Sequence, residues 1–363
     1  MAVIERKTKA VPVDIPLTIT ALALSFIGIL NLASAGNTTF YWHRQLFSLF
    51  IGIVACVSIS SLDYRTWNRH AYLIYGIVIL ILIITVVFGT KISGTRAWLR
   101  LGLLSIQPSE FMKFSAILAM ARYFHEQRLS GPYGLKELSI PFLIAVIPAG
   151  LIMAQPDLGT TVMLLAVLGS MILFAGVRKN LTIGAMVIAL ASFPLMWKLL
   201  APHQKNRILT FLNPERDPTG AGYNVIQSMV AVGSGRLFGK GYRLGSQTAL
   251  RYLPERHSDF AFSVIGEEWG FIGSIVVLCL LAFLVFWALR IAMRAKDRFA
   301  MLCAVGVAAL IFWHSAVNVS MTLGAFPVVG IPLPFLSYGG SFLITIYGAI
   351  GLLMSIEGRR FMF

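Results

Sequence analysis

The chain has 363 residues, of which 30 are Lys or Arg and 15 are Asp or Glu, so only 12 % are charged while 57 % are apolar. A soluble protein carries about a quarter of its residues as charges, and half that supply cannot coat a globule of this size, which excludes a soluble enzyme. The net charge of +15 is spread over short flanks between apolar blocks, with no basic stripe interleaved with aromatics, which excludes nucleic acid as a partner.

Apolar blocks near the ~20-residue length that crosses a bilayer predict about ten transmembrane helices. They fall near 15–35, 43–61, 71–89, 106–123, 140–154, 158–177, 181–199, 260–289, 299–324 and 333–356. The expected fold class is therefore all-α and polytopic, because an open sheet would leave backbone groups unpaired in lipid. Ala33-Ser34-Ala35 imitates a signal-peptidase site, but the apolar run before it is too long for a signal core, so the first span is read as uncleaved. Cys56, Cys279 and Cys303 all sit inside apolar blocks and read as small hydrophobes.

An even span count puts both termini on one side, and the positive-inside rule chooses it. With a cytoplasmic N-terminus, the inner flanks hold Arg6, Lys7, Lys9, Arg65, Arg69, Arg122, Arg128, Lys136, Arg178, Lys179, Arg290, Arg294, Lys296, Arg298, Arg359 and Arg360. The short outer flanks hold only Arg44, Lys91, Arg96 and Arg100. Both termini are expected in the cytoplasm, and a long loop of about 200–259 outside. That loop is basic, and the segment Lys91 to Leu104 reads as an interfacial amphipathic stretch. Both features suit an anionic substrate, and equally an anionic lipid surface.

Ionisable groups at membrane depth are costly, so each raises a functional question. Glu110 and Lys113 share a face of the fourth span, either as a structural ion pair or as a cavity-lining pair whose cation meets a phosphate. Asp157 follows Pro156 and precedes the sixth span, where an N-cap is the plainer account. Glu267 and Glu268 lie roughly 12 Å into the eighth span at 1.5 Å per residue, and a structural role is favoured. His314, Asn318 and Thr322 form one helical stripe that interhelical hydrogen bonding explains. Asp259 stands at the outer mouth of the eighth span, beside Arg251, Arg256 and His257, as a helix cap or as a carboxylate able to take a proton from a hydroxyl. GSGRLFGKGY fails the Walker A spacing, and its glycines are expected to permit tight turns or close approach. IPLPFLSYGGS predicts a broken start to the last span.

Taken together, QPSEFMK, QPDLGT, NPERDPTGAGYNVIQSMVAVGSGRLFGKG, LPERHSDFAFSVIGEEWGFIG and PLPFLSYGGS resemble the SEDS family (shape, elongation, division and sporulation). The likeness covers nearly the whole chain, so 1–363 is expected to be one integral membrane domain, and Arg256 in LPERHSDF points to the elongation branch. The resemblance implies a peptidoglycan polymerase of the bacterial inner membrane. Its substrate would be lipid II, a disaccharide-pentapeptide on undecaprenyl pyrophosphate. Its partners would be a class B penicillin-binding transpeptidase, membrane lipids and other elongation-complex proteins. The family's essential loop aspartate falls on Asp259, implied as general base. Glu110, Lys113 and Asp157 match further family positions, and Arg207, Arg251, Arg256, His257 and Ser337 are candidate substrate contacts. No cofactor is certain. A magnesium or manganese ion would suit a pyrophosphate, but no metal-ligand spacing is present. The rival readings are a lipid II flippase, which would need polar residues through the full membrane depth, and a non-catalytic scaffold for the transpeptidase.

Overall fold

Each apolar block winds into a helix, the conformation that pairs all of its backbone groups within the segment. The computed structural model describes residues 13–35, 40–92, 95–101, 104–127, 131–199, 202–217, 220–249 and 257–360. In chain order come α1 (Ile15–Ala35), α2 (Phe40–Ser61), α3 (Tyr64–Phe88), α4 (Pro108–Glu126), α5 (Ser139–Met153), α6 (Leu158–Gly176) and α7 (Lys179–Leu199). The long segment that follows is itself helical, with α8 (Pro202–Leu212), α9 (Ala221–Ser234) and the single turn α10 (Ser246–Ala249). The chain closes with α11 (Ala261–Arg294), α12 (Arg298–Thr322) and α13 (Gly340–Gly358). Seven of these helices, namely α1, α2, α3, α6, α11, α12 and α13, are long and apolar enough to cross a membrane.

The interfacial amphipathic stretch expected after α3 folds as a small antiparallel sheet, β1 (Thr90–Ile92), β2 (Thr95–Leu101) and β3 (Leu104–Ile106), paired in that order. The central strand is paired on both sides, Trp98 with Thr90 and Leu99, Arg100 and Leu101 with Ile106, Ser105 and Leu104.

Burial ranks the helices. In the most apolar stretch of α13, 83 % of residues are buried, against 22 % in α3, so α13 is central and α3 peripheral. The core runs continuously from Leu17 on α1 to Ile356 on α13. Small residues on α12 (Ala304, Gly306, Ala308) let α4 and α6 approach it closely. Aspartates fix several helix starts. Asp63 accepts from Arg65 N, Asp157 from Thr160 N and Asp297 from Ala300 N, at 2.9, 3.0 and 2.9 Å.

The glycine-rich segment after α9 approaches α11 closely. Arg236 and Leu237 accept backbone hydrogen bonds from Phe271 and Ile272, while Lys240 and Gly241 donate to Glu267 and Glu268. This lacing opens α11 at Gly270, whose φ of 68° departs from the helix. Gly239 has φ of 79°, and a Cβ there would collide with the carbonyl of Glu268. Glu267 completes the junction as an ion pair with Lys240 at 2.8 Å, and Glu268 accepts from Ser34. The structural role expected of both carboxylates is the one the contacts describe.

Candidate active site

Pro108 occupies the first turn of α4, where its missing N–H costs nothing, and thereby sets Glu110 and Lys113 one turn into the bundle. Lys113 is fully buried. Its Nζ lies 2.7 Å from Glu110 Oε2, 3.0 Å from His314 Nε2 on α12, and 5.0 Å from the centre of the Phe342 ring on α13. The ammonium has only hydrogens to give, so His314 Nε2 accepts and His314 Nδ1 carries the ring hydrogen. Nδ1 donates to the carbonyl of Pro332 at 3.3 Å, and the ring stacks on Phe342 at 4.4 Å.

One turn further along α12, Asn318 Nδ2 donates to two carbonyls, that of Ile331 at 2.6 Å and that of Asp259 at 2.9 Å. The polar stripe of α12 thus ties the buried ion pair to the non-helical segment 331–332 and to the backbone of Asp259. Asp259 itself is half-buried, just before α11. Gly330, exposed with φ of 73°, stands beside it, and a Cβ there would lie 3.5 Å from Asp259 Oδ2. A side chain at 330 would rest against the carboxylate.

An aromatic wall flanks this carboxylate. His257 stacks on Tyr41 of α2 at 4.3 Å, and Tyr338 meets Tyr41 edge-on at 5.2 Å. Tyr338 N donates to the carbonyl of His257 at 2.8 Å, fixing the broken segment before α13 against the loop that carries Asp259.

The remaining candidates divide. Asp157 caps α6, accepts from Thr160 Oγ1 at 2.9 Å, and accepts from Gln107 Nε2 at 3.2 Å, so it ties the start of α4 to the start of α6. Ser337 is buried; its hydroxyl accepts from Leu333 N at 2.8 Å and its carbonyl from Gln45 at 3.1 Å. Lys113 and Ser337, both candidate substrate contacts, are buried and hold neighbouring segments through these bonds. Arg207 lies on α8, which packs on α9 and the turn Pro214–Arg216. Arg251 and Arg256 lie outside the described residues. Sequence reasoning missed Tyr41, Gln45, Gln107 and Phe342. Their partners lie far along the chain, and only polarity inside an apolar block marked Gln45.

Among the described residues no group of three His, Cys, Asp or Glu is gathered to hold a metal ion. No chemical step is routed through an ion.

The architecture is that of a multi-pass helical membrane protein with a polar, aromatic-walled site where a long loop meets the bundle. Residues 15–360 match the FtsW/RodA/SpoVE family, described as cell cycle proteins. The peptidoglycan glycosyltransferase MrdB of Escherichia coli (strain K12) is 38 % identical over 353 residues, covering 96 % of this chain and 95 % of that one. The peptidoglycan glycosyltransferase RodA of Treponema pallidum (strain Nichols) is 33 % identical, covering 96 % and 98 %. Among solved structures, a chain from a peptidoglycan synthase complex that coordinates polymerization and crosslinking superposes with TM-score 0.84 at 31 % identity, over 96 % of this chain and 99 % of that one. The crystal structure of Thermus thermophilus RodA gives 0.73 at 27 % identity, over 96 % and 98 %. The chain belongs to the FtsW/RodA/SpoVE family.

Proposed function

We propose that this protein is a peptidoglycan glycosyltransferase that polymerises lipid II into β-1,4-linked glycan strands during cell elongation, acting as a single domain over 1–363. The observation that carries the reading is Asp259, a half-buried carboxylate just before α11 whose backbone is held by Asn318 and beside which Gly330 stands. Its relatives named peptidoglycan glycosyltransferases support the same reaction.

Transfer from an α-linked sugar pyrophosphate to a β-linked glycan inverts the donor carbon in one displacement. The acceptor 4-hydroxyl oxygen bonds to the donor C1, the C1–O bond to pyrophosphate breaks, and the hydroxyl proton passes to Asp259. General base catalysis of this kind contributes typically about 10²–10⁴ in rate. The leaving group departs as undecaprenyl pyrophosphate, and cations aimed at its growing charge assist. Arg207, Arg251 and Arg256 are the candidates in the long loop, and His257 and Tyr41 offer a flat aromatic surface to a sugar ring. Lys113, Glu110, Asp157 and Ser337 act through the segments they hold. In this reading α1–α7 and α11–α13 cross the bacterial inner membrane with both termini in the cytoplasm, and Asp259 faces outward. A class B penicillin-binding transpeptidase is the proposed partner, in keeping with the synthase complex that the fold matches.

The test is purified protein with labelled lipid II, with and without the cognate transpeptidase. Glycan chains on a gel are the expected result. No polymer under either condition, together with lipid II translocation in liposomes, would favour the flippase; neither activity would favour the scaffold.

A further inference from the structure

The turn between α9 and α10 carries large apolar side chains on its surface. Leu237, Phe238 and Leu244 are each more than half exposed, Phe238 at 79 %, and Tyr242 is exposed beside them. A loose chain is not the cause. Phe271 N and Ile272 N donate to the carbonyls of Arg236 and Leu237 at 2.8 and 3.1 Å, and Lys240 N and Gly241 N donate to those of Glu267 and Glu268 at 3.0 Å. Lys240 Nζ adds its ion pair with Glu267. From the same turn, Arg243 donates to the carbonyl of Ala33 at 3.0 Å and Tyr242 to that of Leu30 at 3.4 Å, both on α1. The backbone is thus fastened to α11 and α1 while its apolar side chains stay outside both.

The depth of this turn follows from α11. From Phe271 to Leu289 the helix carries no charged residue, and Arg290 and Arg294 close it. That uncharged stretch is about 28 Å long at 1.5 Å per residue, close to the ~30 Å thickness of a bilayer's hydrocarbon. Phe271 therefore stands at the hydrocarbon edge opposite the basic flank. The two backbone bonds to Phe271 and Ile272 hold Arg236 and Leu237 at that same level. Next to the turn, Ile272, Ile275 and Val276 of α11 and Phe26 of α1 are exposed and apolar, as side chains that face lipid are. Exposed apolar groups fixed at this level meet acyl chains and headgroups rather than bulk water.

We propose that the turn 236–244 is an interfacial membrane anchor. Leu237, Phe238 and Leu244 seat in the boundary between acyl chains and headgroups, in the leaflet opposite the basic flank of α11. Tyr242 has the amphipathic ring that favours this zone, and the exposed Arg236 and Arg243 lie at headgroup level, where phosphates are. The positive-inside rule concerns the other end of α11 and does not account for cations here. Because the turn joins α9 to α10, its seat in the bilayer fixes the long segment against the membrane surface. In the glycosyltransferase reading this is the level at which a lipid-linked pyrophosphate presents its phosphates, but the anchor does not depend on that reading.

The test reads depth, not turnover, so its failure is separate from any failure of the glycosyltransferase reading. In the full-length protein with Cys56, Cys279 and Cys303 replaced, Phe238→Cys and Leu244→Cys are each labelled with a nitroxide and placed in nanodiscs of phosphatidylcholine and phosphatidylglycerol. Power-saturation spectra are recorded with oxygen, which concentrates in lipid, and with a nickel chelate, which stays in water. Val276→Cys on α11 is the hydrocarbon reference and Glu215→Cys, also exposed, is the water reference. Both test positions are exposed, so the labels leave the core intact, and monodisperse elution checks folding. The proposal expects an oxygen-to-nickel accessibility ratio at 238 and 244 severalfold above that at 215 and approaching that at 276. Nickel access at both positions equal to that at 215 would overturn it. Shielding of both labels from oxygen and nickel alike would overturn it as well, and would assign the surface to contact with protein.

Discussion

Lys113 shows how a charge deep in a membrane protein is made tolerable: a carboxylate, an imidazole nitrogen and an aromatic face surround it, and none of its surface is exposed. Removing one member of a buried pair strands the other, at a cost of about 3–5 kcal/mol. Lys113→Met should therefore markedly lower the thermal unfolding temperature in nanodiscs, and adding Glu110→Gln should restore most of it. A Lys113→Met protein that melts like the wild type would contradict this role. Asp157→Ala should cost about 1 kcal/mol as a lost helix cap and also release Gln107, so Asp157→Asn, which still caps, should be milder in the same melting experiment. The sequence already showed Glu110 and Lys113 on one helical face. It could not show that His314, 201 residues away, is the second partner, because that contact exists only once α4 and α12 pack.

Among the elements, helices were the most legible, because twenty apolar residues in lipid have few alternatives. The first expected span, 15–35, coincides with α1, and the eighth runs five residues longer than expected, to Arg294. The exceptions have local causes. The interfacial stretch TRAWLRL forms a strand paired on both sides, and prolines and glycines delay α13 to Gly340 although apolar residues begin near 333. Backbone lacing between the segment after α9 and the opening in α11 was invisible in sequence, since it consists of main-chain hydrogen bonds between glycine-bordered stretches. Two glycines test these elements. Gly239→Ala, with a left-handed φ and a carbonyl in the way of its Cβ, should reduce folded yield and melting temperature together. Gly330→Val places a side chain against the Asp259 carboxylate, so it should depress polymerisation at least tenfold while the protein remains monodisperse. Unchanged polymerisation would mean that substrate does not pass this face.

For the whole molecule, the distribution of Lys and Arg sets the expected orientation, and cysteine labelling measures it directly. With Cys56, Cys279 and Cys303 replaced, Glu215→Cys in the long loop should react with a membrane-impermeant maleimide on intact spheroplasts. Lys136→Cys, between α4 and α5, should react only after permeabilisation. The reverse pattern would invert the topology and place Asp259 on the cytoplasmic side. At this scale one chain of contacts joins the buried ion pair, the α12 stripe of His314 and Asn318, and the backbone of Asp259. The proposed reaction turns on this carboxylate taking the proton from the attacking sugar hydroxyl. The decisive experiment is lipid II polymerisation by purified Asp259→Asn beside the wild type, with matched melting curves to establish folding. Glycan formation should fall by about 10²–10⁴ at unchanged stability; a folded Asp259→Asn that polymerises at the wild-type rate would remove Asp259 as the base.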